Sequence, residues 1–149
     1  MELNPAARGL WAKTRLRVHP ELFRLITLPT SELPRAAEII RSIGSGFAAL
    51  ILESAEVSLT LPESIWLLHR SRFPAATEDG PFRAITLDLD VDLSTWGYFA
   101  PAAVRLAEAG VSIVPQCAFL KDHLLVKDGD LDRAVALLEA LIRESQPGG

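Results

Sequence analysis

The chain has a single cysteine, Cys117, among its 149 residues. One thiol cannot form a disulfide within the chain, which excludes a disulfide-stabilised secreted fold. The start Met1–Pro5 also lacks the basic region and the long apolar stretch of a secretory signal. These two absences predict a cytoplasmic protein.

Long apolar runs and an excess of positive charge are missing as well. Among the longest apolar runs is Phe47–Leu52, far shorter than the roughly 20 residues that span a bilayer. Acidic residues outnumber basic ones by 19 to 15, so the formal net charge is −4 and offers no broad basic surface for nucleic acid. The sequence therefore predicts no membrane segment and no nucleic-acid partner.

Motifs for phosphate and metal binding are absent too. No glycine-rich loop joins a predicted strand to a helix, which disfavours a doubly wound nucleotide-binding fold. His19 and His69 are far apart in the sequence, and no histidine, cysteine or carboxylate spacing typical of a metal site occurs. We expect neither a metal nor a cofactor.

Hydrophobic residues make up 49% of the chain, which is ample for one domain or for two small units. Residues 1–13 show no sustained period and are predicted to be a mobile lead-in with no more than one helical turn. Short apolar runs at Thr14–Val18 and Glu21–Leu28 predict two strands, since the proline of His19-Pro20 should prevent one continuous central strand.

The next segments alternate between helix and strand patterns. Pro34 near its start and Gly44 at its end delimit a predicted helix. The apolar run Phe47–Leu52 and the alternating Glu56–Leu61 predict a hairpin. A short segment then leads to Arg72, and residues 73–81 have the proline, glycine and charge of an exposed connector.

The second half begins with strict alternation at Phe82–Val91, which predicts a strand with one buried face. A helix is predicted over Ala100–Ala109, where Gly110 ends it, and a strand follows over Val111–Val114. The segments Phe119-Leu120 and His123–Val126 predict a hairpin whose turn is Lys121-Asp122. The last predicted helix is capped around Asp130 and Asp132 and extends to Ile142.

The two halves are unequal versions of one pattern, in which a strand and a helix precede two further strands. This order predicts an α+β protein with ferredoxin-like βαββα units and antiparallel pairing. We assign 14–72 to an N-terminal unit, 73–81 to the connector and 82–149 to a C-terminal unit.

Three stretches of the sequence resemble a known family. They are Val91–Ala100 with its glycine loop, Leu106–Ile113 with its Glu-Ala-Gly helix end, and Asp122–Val126. Together with Pro20–Leu25, they resemble the small tandem-ACT proteins over most of residues 14–143. The resemblance implies two ACT-like units packed side by side, assembled further into a homodimer, that bind a small molecule such as an amino acid and regulate rather than catalyse.

The resemblance also implies a ligand site at the strand-to-helix loop and the facing strand. The candidate residues are Asp92, Thr95, Trp96, Gly97, Tyr98 and Phe99 in the loop, and Ser112, Ile113 and Val114 in the strand. A glycine allows close approach to the backbone, and N–H groups at a helix start attract a carboxylate, while Asp92 can hold an amino group. Alternatively, Gly97 only permits a turn, Asp92 caps the helix, and the aromatic residues pack in a core or a subunit contact. The stretch Pro115–Lys121 departs from the family pattern and leaves the ligand open.

Two further patterns suggest chemistry. Cys117 and His123 have the side chains of a catalytic nucleophile and its base, but a lone cysteine is usually a small residue buried in the core. Asp88, Asp90 and Asp92 alternate and would form one row if the strand continued that far, either to bind a cation or as a solvated face. We expect no catalytic residues, and we predict a non-enzymatic sensor, with a ligand-free structural or protein–protein interaction module as the alternative.

Overall fold

The computed structural model describes residues 3–148, which form an α+β fold. Its helices are α1 (Pro5–Trp11), α2 (Leu33–Ile43), α3 (Glu63–His69), α4 (Ala100–Glu108) and α5 (Leu131–Ser145). Its strands are β1 (Leu16–Leu28), β2 (Ala49–Leu52), β3 (Val57–Pro62), β4 (Thr77–Leu87), β5 (Ile113–Cys117) and β6 (Asp122–Lys127). Within residues 3–148, no helix combines the length and the apolar character needed to cross a membrane. Met1 and Glu2 of the predicted lead-in, and Gly149, lie outside the described residues.

The chain divides into two compact units. The terminal unit comprises the chain up to Pro20 and from Arg83 onward, and the middle unit comprises Glu21–Phe82. The division expected from the sequence, 14–72 and 82–149 around 73–81, differs from this one. The physical reason is that β1 and β4 are long strands, and each contributes one part to each unit. Part of the expected connector is strand, because β4 begins at Thr77.

The proline at position 20 does not interrupt β1, so the prediction of two strands joined by a bend is wrong. β1 is a single strand of 13 residues. Its register with β3 begins at Phe23, which pairs with Pro62. Pro20 lies beyond this pairing, so its missing N–H removes none of the β1–β3 hydrogen bonds.

The middle unit has the strand order β2-β3-β1-β4. β2 and β3 form the predicted hairpin, with Leu52 opposite Val57. The alternation in β3 buries Val57, Leu59 and Leu61 completely. They pack with Ile39 of α2 and with other apolar residues, namely Ile26, Leu28, Ala36, Trp66 and Phe73. The predicted helix is also present, and it ends at Gly44.

The terminal unit has the strand order β1-β4-β6-β5. β5 and β6 are antiparallel, from Ile113 opposite Val126 to Cys117 opposite Asp122. The hairpin turn is therefore Ala118–Lys121, and the predicted tight turn at Lys121-Asp122 is wrong. The predicted strand Phe119-Leu120 belongs to this turn, since the β5 strand continues three residues beyond Val114 to Cys117.

A helix of seven residues, α1, lies within the segment that the sequence predicts to be a mobile lead-in with no more than one helical turn. Asn4 caps it, because the Oδ1 of Asn4 accepts a 2.7 Å hydrogen bond from the N–H of Ala7. Trp11 at its end is completely buried in the core of the terminal unit. This core also contains Ile85, Leu87, Leu106, Leu124, Val126 and Leu138.

Both predicted helices of the second half are present. α4 ends as predicted, with Gly110 at φ 70° and its N–H donating to the carbonyl of Ala107. α5 begins after Asp130, but the Asp130 side chain makes no capping hydrogen bond. Its carboxylate instead accepts a 3.0 Å hydrogen bond from Arg133, so the predicted capping role is corrected.

Candidate functional site

A loop of twelve residues, 88–99, connects the end of β4 to the start of α4 in the terminal unit. Asp92 shapes its middle. One carboxylate oxygen accepts a 2.8 Å hydrogen bond from the N–H of Ser94, and the carbonyl of Asp92 accepts one from Thr95. The hydroxyl of Ser94 also donates to this carboxylate and is the main cause of its lowered pKa. Asp92 therefore does not cap α4, whose N-cap residue is Phe99 without a side-chain hydrogen bond.

Gly97 has a geometry that favours glycine. Its φ is 80°, and a Cβ atom added there would lie 2.8 Å from the Nδ2 atom of Asn4. Residues with a side chain are strained at this φ, and the side chain of Asn4, which caps α1, would have to shift. The predicted need for glycine thus has a structural cause, which is the approach of the loop to the residue that caps α1.

The three aromatic residues of the loop occupy different environments. Tyr98 is buried, and its ring stacks on Trp11 at a centroid distance of 5.1 Å. Its hydroxyl lies 2.8 Å from the Oγ1 of Thr14, and burial raises its pKa to about 12. Phe99 is half-buried, whereas Trp96 is 76% exposed. Core packing accounts for Tyr98, as one reading of the sequence expected.

The loop meets the β5–β6 turn. The N–H of Val91 donates a 2.9 Å hydrogen bond to the carbonyl of Leu120, and within the turn Ala118 donates to the carbonyl of Lys121. The Val91–Leu120 hydrogen bond joins the loop to the turn through backbone atoms, which do not depend on the identity of the two residues. Sequence patterns therefore carry little signal for this contact.

A cavity of about 280 Å³ lies between the loop and the turn, and we call it the loop–turn cavity. Five predicted site residues line it, namely Asp92, Thr95, Gly97, Tyr98 and Phe99. Its other lining residues are Val91, Leu93, Ala100, Cys117, Ala118, Phe119, Leu120, Lys121 and Asp122. Four predicted site residues, Trp96, Ser112, Ile113 and Val114, are not among the lining residues. The expected facing strand is thus replaced by the turn that follows β5.

The turn residues were missed because the hairpin register was misplaced. Because the prediction puts the turn at Lys121-Asp122, it assigns Phe119 and Leu120 to a strand and not to the turn that lines the cavity. The departure of Pro115–Lys121 from the family pattern was the one available signal, because binding residues are often carried by variable loops.

Lys121 contacts two of the three aspartates that alternate along the sequence, Asp88, Asp90 and Asp92. Its ammonium group forms an ion pair with Asp90 and lies 3.6 Å from a carboxylate oxygen of Asp88. The hydrogen bond to Asp90 is the main cause of its raised pKa. β4 ends at Leu87, so Asp88, Asp90 and Asp92 do not form one strand face. Within residues 3–148, no cluster of three or more histidine, cysteine, aspartate or glutamate side chains is placed to hold a metal ion.

Cys117 is exposed rather than buried in a core, but it is not paired with His123. Cys117 lies opposite Asp122, whereas the adjacent His123 lies opposite Gln116. Neighbouring residues of a strand point to opposite faces, so the thiol and the imidazole lie on different faces of the sheet. This geometry argues against the nucleophile-and-base alternative.

The thiol of Cys117 is expected to react slowly despite its exposure. A hydrogen bond with the Asp122 carboxylate raises the pKa of the thiol to about 11, well above the ordinary value of about 8.5. Alkylation by iodoacetamide at pH 8.5, followed by mass spectrometry, should therefore be on the order of 100-fold slower in the folded protein than in the urea-unfolded chain. Asp122→Asn should restore most of the rate, and equal rates for folded and unfolded wild-type protein would contradict this assignment.

No protein-family model and no curated protein matches the chain. Solved structures do match. A Vibrio cholerae protein of unknown function, described as a possible transport protein, is 20% identical with a TM-score of 0.68, over 91% of this chain and 94% of that one. A protein from Agobacterium tumefaciens is 22% identical with a TM-score of 0.67, over 87% and 89%. The ligand-free regulatory subunit of aspartate kinase from Thermus thermophilus is 10% identical with a TM-score of 0.62, over 86% and 97%.

The fold is ACT-like. This is the part of the predicted resemblance that the similarity to aspartate kinase regulatory domains supports. Identities of 22% and below indicate shared architecture alone, so the side-by-side arrangement of two ferredoxin-like ACT units stays a prediction. Ligand binding and the homodimer likewise stay predictions.

Proposed function

We propose that this chain is a non-enzymatic regulatory protein that binds a small molecule, namely an amino acid, in the loop–turn cavity. The observation that carries the proposal is the cavity itself, an open cleft lined by the loop between β4 and α4 and by the β5–β6 turn. Its volume of about 280 Å³ lies near the lower end of the roughly 300–1,000 Å³ typical of pockets for drug-sized ligands. An amino acid is therefore a ligand of suitable size.

The two ends of an amino acid have suitable partners at this cavity. Phe99 and Ala100 line it at the start of α4, where no side chain caps the helix. Backbone N–H groups at a helix start attract a carboxylate. Asp122 lines the cavity as well, and its carboxylate, which accepts a hydrogen bond from the thiol of Cys117, is a suitable partner for an ammonium group.

The middle unit does not repeat this arrangement. Its connection from β1 to α2 spans only Pro29–Glu32, four residues instead of twelve. A connection of four residues is too short to form the wall that residues 88–99 provide in the terminal unit. We therefore propose one such ligand site per chain, located in the terminal unit.

The ligand-free interaction module remains the second candidate. It requires that the chain fill the cavity with its own side chains. Trp96 does not line the cavity, and the volume of about 280 Å³ remains with Tyr98 in its wall. These observations favour a ligand over a self-filled cavity. The regulatory role of an aspartate kinase subunit with this fold supports a sensor by analogy. A cytoplasmic location and a homodimer belong to the same proposal.

Thermal unfolding in the presence of each amino acid tests the proposal. A ligand at about 100 times its Kd should stabilise the native state by about 2.7 kcal/mol, which corresponds to a rise in Tm of about 5–10 °C. Asp122→Asn should weaken binding roughly 10–100-fold, because an ammonium group would lose a charged partner. Glu139→Gln, an exposed charge on α5, is the matched control and should bind like the wild type. Absence of any shift at millimolar concentrations of all twenty amino acids would sink the proposal.

A further inference from the structure

Large apolar side chains surround the loop–turn cavity without being buried. Leu93 is 70% exposed, Phe119 is 74% exposed and Leu120 is 45% exposed, and all three line the cavity. Trp96, in the same loop, is 76% exposed. Single exposed apolar residues are common, but several around one concave site indicate that something apolar covers them.

Apart from Asp122, which is assigned to the ammonium group of the ligand, the charged side chains that line the cavity are engaged with other protein groups. Lys121 forms ion pairs with Asp90 and Asp88, and the carboxylate of Asp92 accepts two hydrogen bonds from Ser94. A charged ligand side chain would have to displace one of these internal partners. An apolar ligand side chain displaces none and removes apolar protein surface from water.

We infer that the ligand is an amino acid with a large aliphatic or aromatic side chain, which lies against Leu93, Phe119 and Leu120. This inference rests on the proposed function, because it assigns the side chain of the amino acid that the cavity is proposed to bind. Binding covers the three exposed side chains and joins the loop to the turn through the ligand. The site therefore discriminates by apolar area and not by charge.

Isothermal titration of the full chain with single amino acids tests this inference. Leucine and phenylalanine should bind at least about tenfold more tightly than alanine, since each added methylene in an apolar site improves binding several-fold. Aspartate and lysine should bind more weakly than leucine. Equal or tighter binding of alanine, aspartate or lysine would overturn the inference and leave the proposed function intact. Failure of all amino acids to bind would overturn both.

Variants of the exposed side chains locate the contact. Phe119→Ala should reduce leucine affinity about tenfold and leave alanine affinity unchanged, so retained alanine binding reports an intact site. Leu68→Ala is the matched control, because Leu68 is 75% exposed on α3 in the middle unit. Leu93→Ala provides a second test on the loop side of the cavity. Unchanged leucine affinity in both Phe119→Ala and Leu93→Ala would contradict the inference.

Discussion

Trp11→Ala is expected to lower the free energy of unfolding by about 3–5 kcal/mol, the usual cost of removing a fully buried tryptophan. Trp11 is completely buried and stacks on Tyr98. Its indole N–H also donates a 2.7 Å hydrogen bond to the carbonyl of Tyr98. The substitution therefore leaves a cavity and a buried carbonyl without this donor. Urea denaturation monitored by circular dichroism measures the loss.

Trp96→Ala is the matched control for this prediction. It removes the same side chain from a position that is 76% exposed, so the change in stability should stay within about 0.5 kcal/mol. The comparison separates burial from residue type. If Trp11→Ala cost no more than Trp96→Ala, the packing of α1 in the core of the terminal unit would be wrong.

Position 98 connects this prediction to the candidate site. Tyr98 contacts Trp11 on the core side and also lines the loop–turn cavity. Loss of Trp11 removes the support behind one wall of that cavity. We therefore expect Trp11→Ala to weaken ligand binding even under conditions where the chain remains folded.

Elements whose pattern lies within their own few residues could be predicted from the sequence. The alternation in β3 and the glycines after α2 and α4 act within a few residues, and the corresponding elements are present. α1 was missed because a helix of seven residues is too short to show a period, and tertiary packing of Trp11 stabilises it. Pro20 was misinterpreted because strand pairing, which decides whether a proline is tolerated, is not local.

The candidate site also has one part that could be predicted from the sequence, the loop, and one part that could not, the β5–β6 turn. The loop residues entered the prediction through the resemblance to the tandem-ACT proteins, and five of them line the loop–turn cavity. The turn side was not predicted, because the register of a hairpin is set by both strands and a shift moves side chains to the other face. Lys121 and Asp122 therefore entered the prediction as a turn, and their contacts with Asp90 and Cys117 are properties of the folded chain.

A buried chain of three polar side chains leads to a prediction about acid stability. The Oγ1 of Thr86 lies 2.7 Å from the Nε2 of His19 and 2.8 Å from the Nδ1 of His123. Thr86 is completely buried, and the three residues lie on β1, β4 and β6 within the terminal unit. A hydroxyl has one proton and two lone pairs, so it donates to at most one of the two imidazoles and can accept from either of them, according to their tautomers.

Protonation of His123 is disfavoured in the folded state. Burial lowers its pKa below the ordinary value of about 6.5, and the positive charges of His19, Arg17 and Lys121 lower it further, against a smaller opposite effect of Asp122. The unfolded chain therefore binds more protons as the pH falls below about 6.5. Stability should be constant with respect to this group above that pH and decrease below it, down to the folded pKa.

Thr86→Val should lower the free energy of unfolding by about 1–3 kcal/mol at pH 7.5, because it removes the hydroxyl from the buried His123 and from the half-buried His19. Thr77→Val, an exposed position on the same strand, is the matched control and should change stability by no more than about 0.5 kcal/mol. Equal effects of the two substitutions would contradict the role of the hydroxyl.

The acid dependence is assigned by a second pair of variants. Urea denaturation between pH 7.5 and pH 5 should show a smaller loss of stability in His123→Gln than in the wild type, because glutamine does not titrate. His69→Gln removes a histidine of α3 that lies outside this chain of hydrogen bonds and should retain the wild-type dependence. An unchanged acid dependence in His123→Gln would show that protonation elsewhere destabilises the fold. A flattened acid dependence in His123→Gln would place the acid-sensitive contact on the face of β6 that carries His123, whereas Cys117 and Asp122 belong to the opposite face of the hairpin.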